Sequence, residues 1–260
     1  MEIPYYQIDA FTSDLFGGNP AGVCLLEQWP ADETMQAIGA ENNLSETAFL
    51  VPSGPGQYDL RWFTPEVEVD LCGHATLASA FVIFRYVDEV LAAVSFDTKS
   101  GRLTVVKDGD RLTMDFPSRP PSPCPLPEDL GNGLGVTPIE VHRARDYVAL
   151  FESEDQVRQL RPDFPSLARL DATGIIVTAE GQSSDFVSRF FAPAVGIPED
   201  PVTGSAHCSL IPFWAARLGK SELHAFQVSR RGGELFCRDA GDRVHISGRA
   251  VTYLKGTITI

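Results

Sequence analysis

Three side chains with acid–base chemistry occupy restricted places in the sequence. Glu46 precedes an apolar run at residues 47–51, and a carboxylate at the edge of a buried strand is partly desolvated, which raises its pKa towards that of a general base. His74 stands at a predicted helix start, where a neutral imidazole could carry a proton. Asp200 lies in a loop bounded by two prolines and could hold an amine or a hydroxyl of a substrate. These are the candidate catalytic residues.

Each of these residues also has an ordinary structural interpretation. The motif around Glu46 is equally typical of turn chemistry or of a capping acid, and a lone histidine is more often structural than catalytic. Asp200 is as well placed to cap the following helix as to bind a ligand. Considered one by one, the residues leave both interpretations open.

Two predicted helices begin with small residues, at Gly73 and at Gly204-Ser205. The free N–H groups and the dipole at a helix start favour an anion, so two such starts facing each other across a cleft would bind a carboxylate. Tight strand-to-helix turns explain the same glycines without any ligand. Asn19, which follows a Gly-Gly pair, could likewise belong to a substrate loop or to an ordinary turn.

The motifs recur in the same order in the two halves of the chain. RWFTP at residues 61–65 matches RFFAP at 189–193, CGHA at 72–75 matches TGSA at 203–206, and GDR at 109–111 matches GDR at 241–243. The conserved order and the nearly constant offset indicate a duplicated unit with pseudo-two-fold symmetry. A looser extension of the match sets Glu46 opposite Gly174.

The hydrophobic pattern predicts that each half is mostly β with one apolar central helix, at residues 73–86 and 205–218. Such a helix has to be buried on all sides. The predicted fold class is therefore α+β, with two pseudo-symmetric lobes, each a barrel-like sheet wrapped around its helix.

A proline-rich segment at residues 117–127 marks the boundary between the halves, because its six prolines favour extended backbone. The predicted organisation is an N-terminal lobe at 1–117, a linker at 118–127 and a C-terminal lobe at 128–260. The last segment, 250–260, alternates like a strand and is compatible with pairing to the N-terminal lobe.

Composition narrows the function classes. The 260 residues carry 21 basic and 35 acidic side chains, so the net charge of −14 disfavours a nucleic-acid partner. No apolar stretch reaches the length of a membrane span and the N-terminus does not resemble a signal peptide, so we expect a cytoplasmic protein. The five cysteines form no CxxC pair and the five histidines show no metal-binding spacing, which argues against a disulfide framework or a metal site.

Taken together, the motifs resemble those of the PhzF-like family of phenazine-biosynthesis proteins, which shares the diaminopimelate epimerase fold. The matching motifs are DAF at residues 9–11, GNPAGV at 18–23, NLSETAF at 43–49, RWFTP at 61–65, DLCGHAT at 70–76 and EDPVTGSA at 199–206. Each motif is modest alone, but their order along the chain is specific to this family.

The resemblance implies two similar lobes with the active site in the cleft between them, and chemistry without a metal or an organic cofactor. It implies that Glu46 is the acid/base that moves a proton on carbon. The roles that it implies for the other positions are assistance for His74 and Asp200, and substrate binding for Asn19, Gly73, Gly204 and Ser205. The expected substrate is a small carboxylate, and the resemblance is compatible with a homodimer.

The chain departs from the epimerases of this fold, which use a pair of thiols at the two symmetry-related helix starts. Here the paired positions are Cys72 and Thr203. Because a threonine hydroxyl is a poor carbon base, two-thiol racemisation is disfavoured. A single glutamate can instead take a proton from one carbon and return it to another on the same face, which is an isomerisation.

Three functional hypotheses follow. The first is a cofactor-independent isomerase of a small carboxylate with Glu46 as the base. The second is an amino-acid racemase or epimerase in which Cys72 or His74 opposes Glu46. The third is a non-catalytic protein that binds a metabolite or a protein partner on the same fold.

Overall fold

The computed structural model describes residues 1–260, which form two compact units: residues 1–115 with 247–260, and residues 116–246. The strands are β1 (Glu2–Ala10), β2 (Asn19–Leu25), β3 (Glu46–Gly54), β4 (Gln57–Phe63), β5 (Glu68–Val69), β6 (Ala93–Thr98), β7 (Gly101–Asp108), β8 (Arg111–Pro117), β9 (Ser122–Pro123), β10 (Glu140–Arg143), β11 (Tyr147–Leu150), β12 (Ile175–Glu180), β13 (Phe186–Ala192), β14 (Ile197–Asp200), β15 (Glu222–Gln227), β16 (Gly233–Asp239), β17 (Arg243–Gly248) and β18 (Ala250–Thr259). The α-helices are α1 (Asp32–Asn42), α2 (Gly73–Val82), α3 (Glu128–Leu134), α4 (Glu154–Gln159), α5 (Phe164–Leu167) and α6 (Gly204–Leu218).

In the first unit the strands lie side by side in the order β18-β1-β2-β3-β4-β6-β7-β8. All neighbours are antiparallel except β2–β3 and β4–β6. Parallel neighbours need a crossover connection, and α1 and α2 are the helices of these two crossovers. The C-terminal strand β18 pairs with β1 and belongs to this unit.

The second unit repeats the same order of pairing. Its strands run β9-β10-β11-β12-β13-β15-β16, and the parallel neighbours are β11–β12 and β13–β15. Helix α6 lies in the crossover from β13 to β15, as α2 does between β4 and β6. The sheet-with-few-helices composition confirms the α+β class that the hydrophobic pattern predicts.

Helix α2 is buried almost all round and packs against β1, β2, β3 and β18. Its two hydroxyl side chains are satisfied inside the helix, because Thr76 donates to the carbonyl of Cys72 at 2.6 Å and Ser79 to that of Ala75 at 2.7 Å. The helix was predicted to extend to residue 86. The chain does remain helical there, but as a wider π-helical turn at Ile83–Val87.

Helix α6 contains Pro212, which cannot donate a hydrogen bond to the carbonyl one turn earlier. That carbonyl, on Cys208, instead accepts the backbone N–H of Arg119 at 2.9 Å. The proline-rich segment, predicted as a stiff linker between the halves, groups with the second unit, and its residues Ser122 and Pro123 pair with β10 as strand β9.

The duplication extends to side-chain contacts. Arg61 on β4 binds Glu68 on β5 with two parallel hydrogen bonds of 2.7 and 2.8 Å. Arg189 on β13 binds Glu199 on β14 with bonds of 2.7 and 3.0 Å. In each unit this bidentate pair fixes the short hairpin that leads into the central helix. No helix of the chain has the length and the apolar character of a membrane span.

Candidate active site

Glu46 owes its position to the way the chain leaves α1. The helix ends at Asn42, and Asn43 adopts the left-handed conformation that asparagine tolerates, with φ of 49°. Strand β3 then begins at Glu46, and its second residue, Thr47, is held by the Asn42 amide at 3.1 Å and pairs with Phe63. Because β3 and β4 are antiparallel, Glu46 lies beside the end of β4, from which the chain continues towards α2.

His74 is the second residue of α2 and is only 5% exposed. Its Nε2 atom lies 3.2 Å from Oε2 of Glu46, whose side chain is 12% exposed. This distance is at the upper end of the range for an N–H···O hydrogen bond. The structure therefore brings two of the three predicted catalytic residues into contact.

Burial determines the charge state of His74. Desolvation lowers the pKa of its imidazole from 6.5 to about 3. The ring is neutral at physiological pH, so it faces Glu46 as a dipole rather than as a cation, and the two atoms lie 3.2 Å apart without the alignment of a hydrogen bond. A neutral imidazole leaves the carboxylate of Glu46 available as the proton acceptor.

Asn19 also lies at His74, at the other ring nitrogen. Its Nδ2 atom is 3.2 Å from Nδ1 of His74, and the residue is fully buried. Gly18 makes this placement possible, because with φ of 62° it turns the chain into β2 where a Cβ would lie 2.1 Å from the carbonyl oxygen of Ala10. The predicted substrate residue Asn19 is thus placed against the imidazole.

Cys72, the residue before α2, completes the cluster. Its Sγ atom lies 3.4 Å from Nδ1 of His74. One donor atom each from Cys72, His74 and Glu46 can be chosen so that all lie within 4.8 Å of one another. Because the thiol contacts Nδ1 and the carboxylate contacts Nε2, the donors surround the ring, which suits hydrogen bonding better than coordination of one metal ion.

In the second unit, Asp200 is held at the start of α6. Its Oδ2 atom accepts a hydrogen bond from the hydroxyl of Thr203 at 2.5 Å. Thr203 precedes α6 in an extended conformation, and neither Thr203 nor Cys72 caps its helix with its side chain. The predicted binding residues Gly204 and Ser205 are the first two residues of that helix.

Sequence reasoning missed Gln227, at the end of β15. Its side-chain carbonyl accepts the N–H of Thr203 at 2.8 Å, and its amide donates to the carbonyl of Asp200 at 2.7 Å. The residue is fully buried and holds the loop in front of α6. Nothing local marks it, since a glutamine at a strand end usually faces solvent.

The second unit has no counterpart of Glu46. The register of β12 on β13 pairs Ile175 with Phe191, just as Thr47 pairs with Phe63, so Gly174 occupies the place of Glu46. A Cβ at Gly174 would lie 2.1 Å from the ring of Phe190. This ring fills the space that a second carboxylate would need, so only the first unit offers a base at this position.

A buried histidine in α6 gives a prediction for stability. His207 is fully buried and donates through Nδ1 to the carbonyl of Thr203 at 2.8 Å, and burial lowers its pKa to about 4. The pKa of His207 in the folded protein lies below the unfolded value near 6.5. The stability that the neutral ring contributes is therefore fully present above pH 6.5 and is lost as the pH falls towards 4. Between pH 7 and pH 5, we expect the free energy of unfolding of His207→Gln, measured in urea, to fall by about 2 kcal/mol less than that of wild type. Equal losses in both proteins would contradict this assignment.

The chain has the epimerase-type α+β fold, which solved structures of low sequence identity share with it. A family model described as phenazine biosynthesis-like protein matches residues 8–256. The chain belongs to the phenazine biosynthesis-like family, and the resemblance predicted from its motifs is confirmed.

Individual relatives agree with this assignment. An uncharacterized isomerase of Pseudomonas aeruginosa is 52% identical over 258 residues, which cover 99% of each chain. The crystal structure of a PhzF-family phenazine biosynthesis protein from Enterococcus faecalis covers 100% of both chains with 47% identity and a TM-score of 0.98. At the level of fold alone, a hydroxyproline epimerase from Agrobacterium vitis with bound trans-4-hydroxy-L-proline is 12% identical, covers 99% of this chain and 92% of its own, and has a TM-score of 0.60.

Proposed function

We propose that this isomerase moves a proton on carbon of a small carboxylate-bearing substrate, with Glu46 as the acid/base and without a cofactor. The observation that carries the proposal is the 3.2 Å contact between Glu46 and the buried, neutral imidazole of His74. A carboxylate in this place is nearly shielded from water and still able to accept a proton. The relatives named isomerases support the reaction class.

A single base favours isomerisation over racemisation. Glu46 would take a proton from one carbon, leaving the electron pair delocalised over the substrate carboxylate or an adjoining double bond, and would return it to another carbon. A racemase needs a second base on the opposite face of the substrate. The ring of Phe190 occupies the second-unit position that corresponds to Glu46.

The start of α2 supports the choice of a carboxylate. Cys72 does not cap the helix with its side chain, which leaves the N–H groups of the first turn to bind an anion. The Agrobacterium vitis protein of the same fold holds an amino acid, which also carries a carboxylate. The participation of Asp200, Gly204 and Ser205 in the same reaction stays a prediction from the resemblance, as does a homodimer.

One observation favours a second candidate. The Sγ atom of Cys72 lies 3.4 Å from His74, so a thiol and a carboxylate stand on either side of one imidazole. A racemase could use Cys72 and Glu46 as opposite bases. Such an enzyme would incorporate deuterium at the α-carbon of an amino acid in heavy water.

The proposal is tested with a panel of small carboxylic acids, including unsaturated and cyclic acids and amino acids. An acid present at 100 times its Kd stabilises the folded protein by about 2.7 kcal/mol, which raises the Tm by roughly 5–10 °C. Each stabilising acid is then incubated with the protein in heavy water and followed by proton NMR. We expect a positional isomer, which shows the reaction whether or not the proton on Glu46 exchanges with solvent. Stabilisation without an isomer and without exchange would indicate a binding protein, and exchange only at the α-carbon of an amino acid would indicate the racemase.

A further inference from the structure

We infer that Asn19 is a positioning residue that fixes the tautomer of His74, so that the only ring proton lies on Nε2 and faces Glu46. The inference deepens the proposed function, because its catalytic consequence rests on Glu46 as the base. The tautomer itself is a property of the free protein and does not rest on it.

The two ring nitrogens of a neutral imidazole differ, since one carries the proton and the other only accepts. Nε2 of His74 lies 3.2 Å from Oε2 of Glu46, and an ionised carboxylate offers lone pairs only. The two atoms are not aligned as a hydrogen bond in the ligand-free chain, but a proton on Nε2 is the arrangement in which this close contact with a carboxylate is attractive rather than repulsive. Nδ1 is then an acceptor and needs a donor in a place that water hardly reaches.

Asn19 supplies that donor. Its Nδ2 atom lies 3.2 Å from Nδ1. With the proton on Nε2, the amide presents Nδ2 to Nδ1, because the opposite orientation would place an oxygen against the lone pair of Nδ1; the tautomer and the amide orientation thus support each other. The thiol of Cys72 lies near the same nitrogen at 3.4 Å, but it is a much weaker donor.

The backbone holds Asn19 in this place independently of any ligand. Asn19 is the first residue of β2 and pairs with Ala10 of β1. Gly18 has a positive φ and no room for a Cβ, so the turn that leads into Asn19 requires glycine at this position. An amide that is fully buried at the end of a paired strand is preorganised towards Nδ1.

The consequence for the reaction is specific. With Nδ1 occupied as an acceptor, His74 presents one N–H to Glu46 and keeps its carboxylate oriented before the substrate arrives. The imidazole also cannot take the proton that Glu46 removes, because its unprotonated nitrogen, Nδ1, points away from the carboxylate. The proton then stays on Glu46 until it returns to carbon.

The test is the ¹⁵N chemical shifts of the histidine rings in the ligand-free protein, measured in two-bond proton–nitrogen correlation spectra. His74 is assigned by the signals that disappear in His74→Gln. In wild type we expect the Nε2–H tautomer of a neutral ring. An Nδ1–H tautomer in wild type would overturn the inference.

The decisive variant is Asn19→Asp, which keeps the shape of the side chain and replaces the donor by a carboxylate. We expect a proton to appear on Nδ1, so that its signal shifts from the range of an unprotonated to that of a protonated ring nitrogen. Asn42→Asp is the matched control, because it removes the other amide donor near β3, which bonds Thr47, and should leave the His74 signals unchanged. Unchanged Nδ1 signals in Asn19→Asp would assign Asn19 a purely structural role. Neither spectrum depends on turnover, so failure of the proposed function is seen separately in Glu46→Gln.

Discussion

Glu46→Gln is expected to lose turnover and solvent exchange by a factor of at least about 10²–10⁴, the usual contribution of a positioned acid–base group. The substitution removes the basic oxygen while keeping the size of the side chain. The amide carbonyl of glutamine can still accept the N–H of His74, so the contact at 3.2 Å persists. The rate at which a stabilising acid forms its isomer, followed by proton NMR, measures the loss.

The same variant separates catalysis from binding. Thermal stabilisation by the acid should be nearly unchanged, because the proposed anion site at the start of α2 does not involve the carboxylate of Glu46. Glu68→Gln is the matched control, since Glu68 is similarly buried in the same unit but is bound to Arg61. Glu68→Gln should lower the free energy of unfolding and leave the rate of the reaction unchanged. Full turnover in Glu46→Gln would refute the assignment of the base.

Much of the fold could be predicted because it is repeated. The helix predicted at residues 205–218 is α6 to within one residue, and the match of Arg61 with Arg189 reflects the same bidentate contact in both units. Even the weak pairing of Glu46 with Gly174 agrees with the strand register. Repeated motifs carry this information because each unit has to fold the same chain path around one apolar helix.

The remaining features depend on contacts between residues that are distant in sequence. Strand β15 ends at Gln227, and Ser229 lies beyond it, donating its hydroxyl to the carbonyl of Pro201 at 2.8 Å. No local sequence pattern predicts that hydrogen bond. The same holds for the bond from the backbone N–H of Arg119, in the proline-rich segment, to the carbonyl of Cys208. Asn19 was predicted to bind substrate, yet the motif that marks it cannot show that His74 is its neighbour. Contacts with residues distant in sequence determine these positions, and the spacing of motifs along the chain does not reveal those contacts.

The pseudo-symmetric arginines give the largest expected effect on stability. Arg189 is 8% exposed, and besides Glu199 it donates to the carbonyls of Val157 and Leu160, each at 3.0 Å. Arg189→Met would leave a largely buried carboxylate and two carbonyls without this donor. Breaking a buried pair in this way costs about 3–5 kcal/mol.

Arg61→Met is the matched control for this prediction. Arg61 is more exposed, and its partner Glu68 keeps a second cation, Lys99, at 2.6 Å. Because Lys99 still neutralises Glu68 and no backbone carbonyl loses a donor, we expect a loss of about 1 kcal/mol. Urea unfolding of both variants measures the difference, and fluorescence of Trp214, the only tryptophan of the second unit, reports on Arg189→Met. Equal losses would show that the carbonyl contacts of Arg189 contribute nothing, and that the two hairpins are equivalent in energy as well as in geometry.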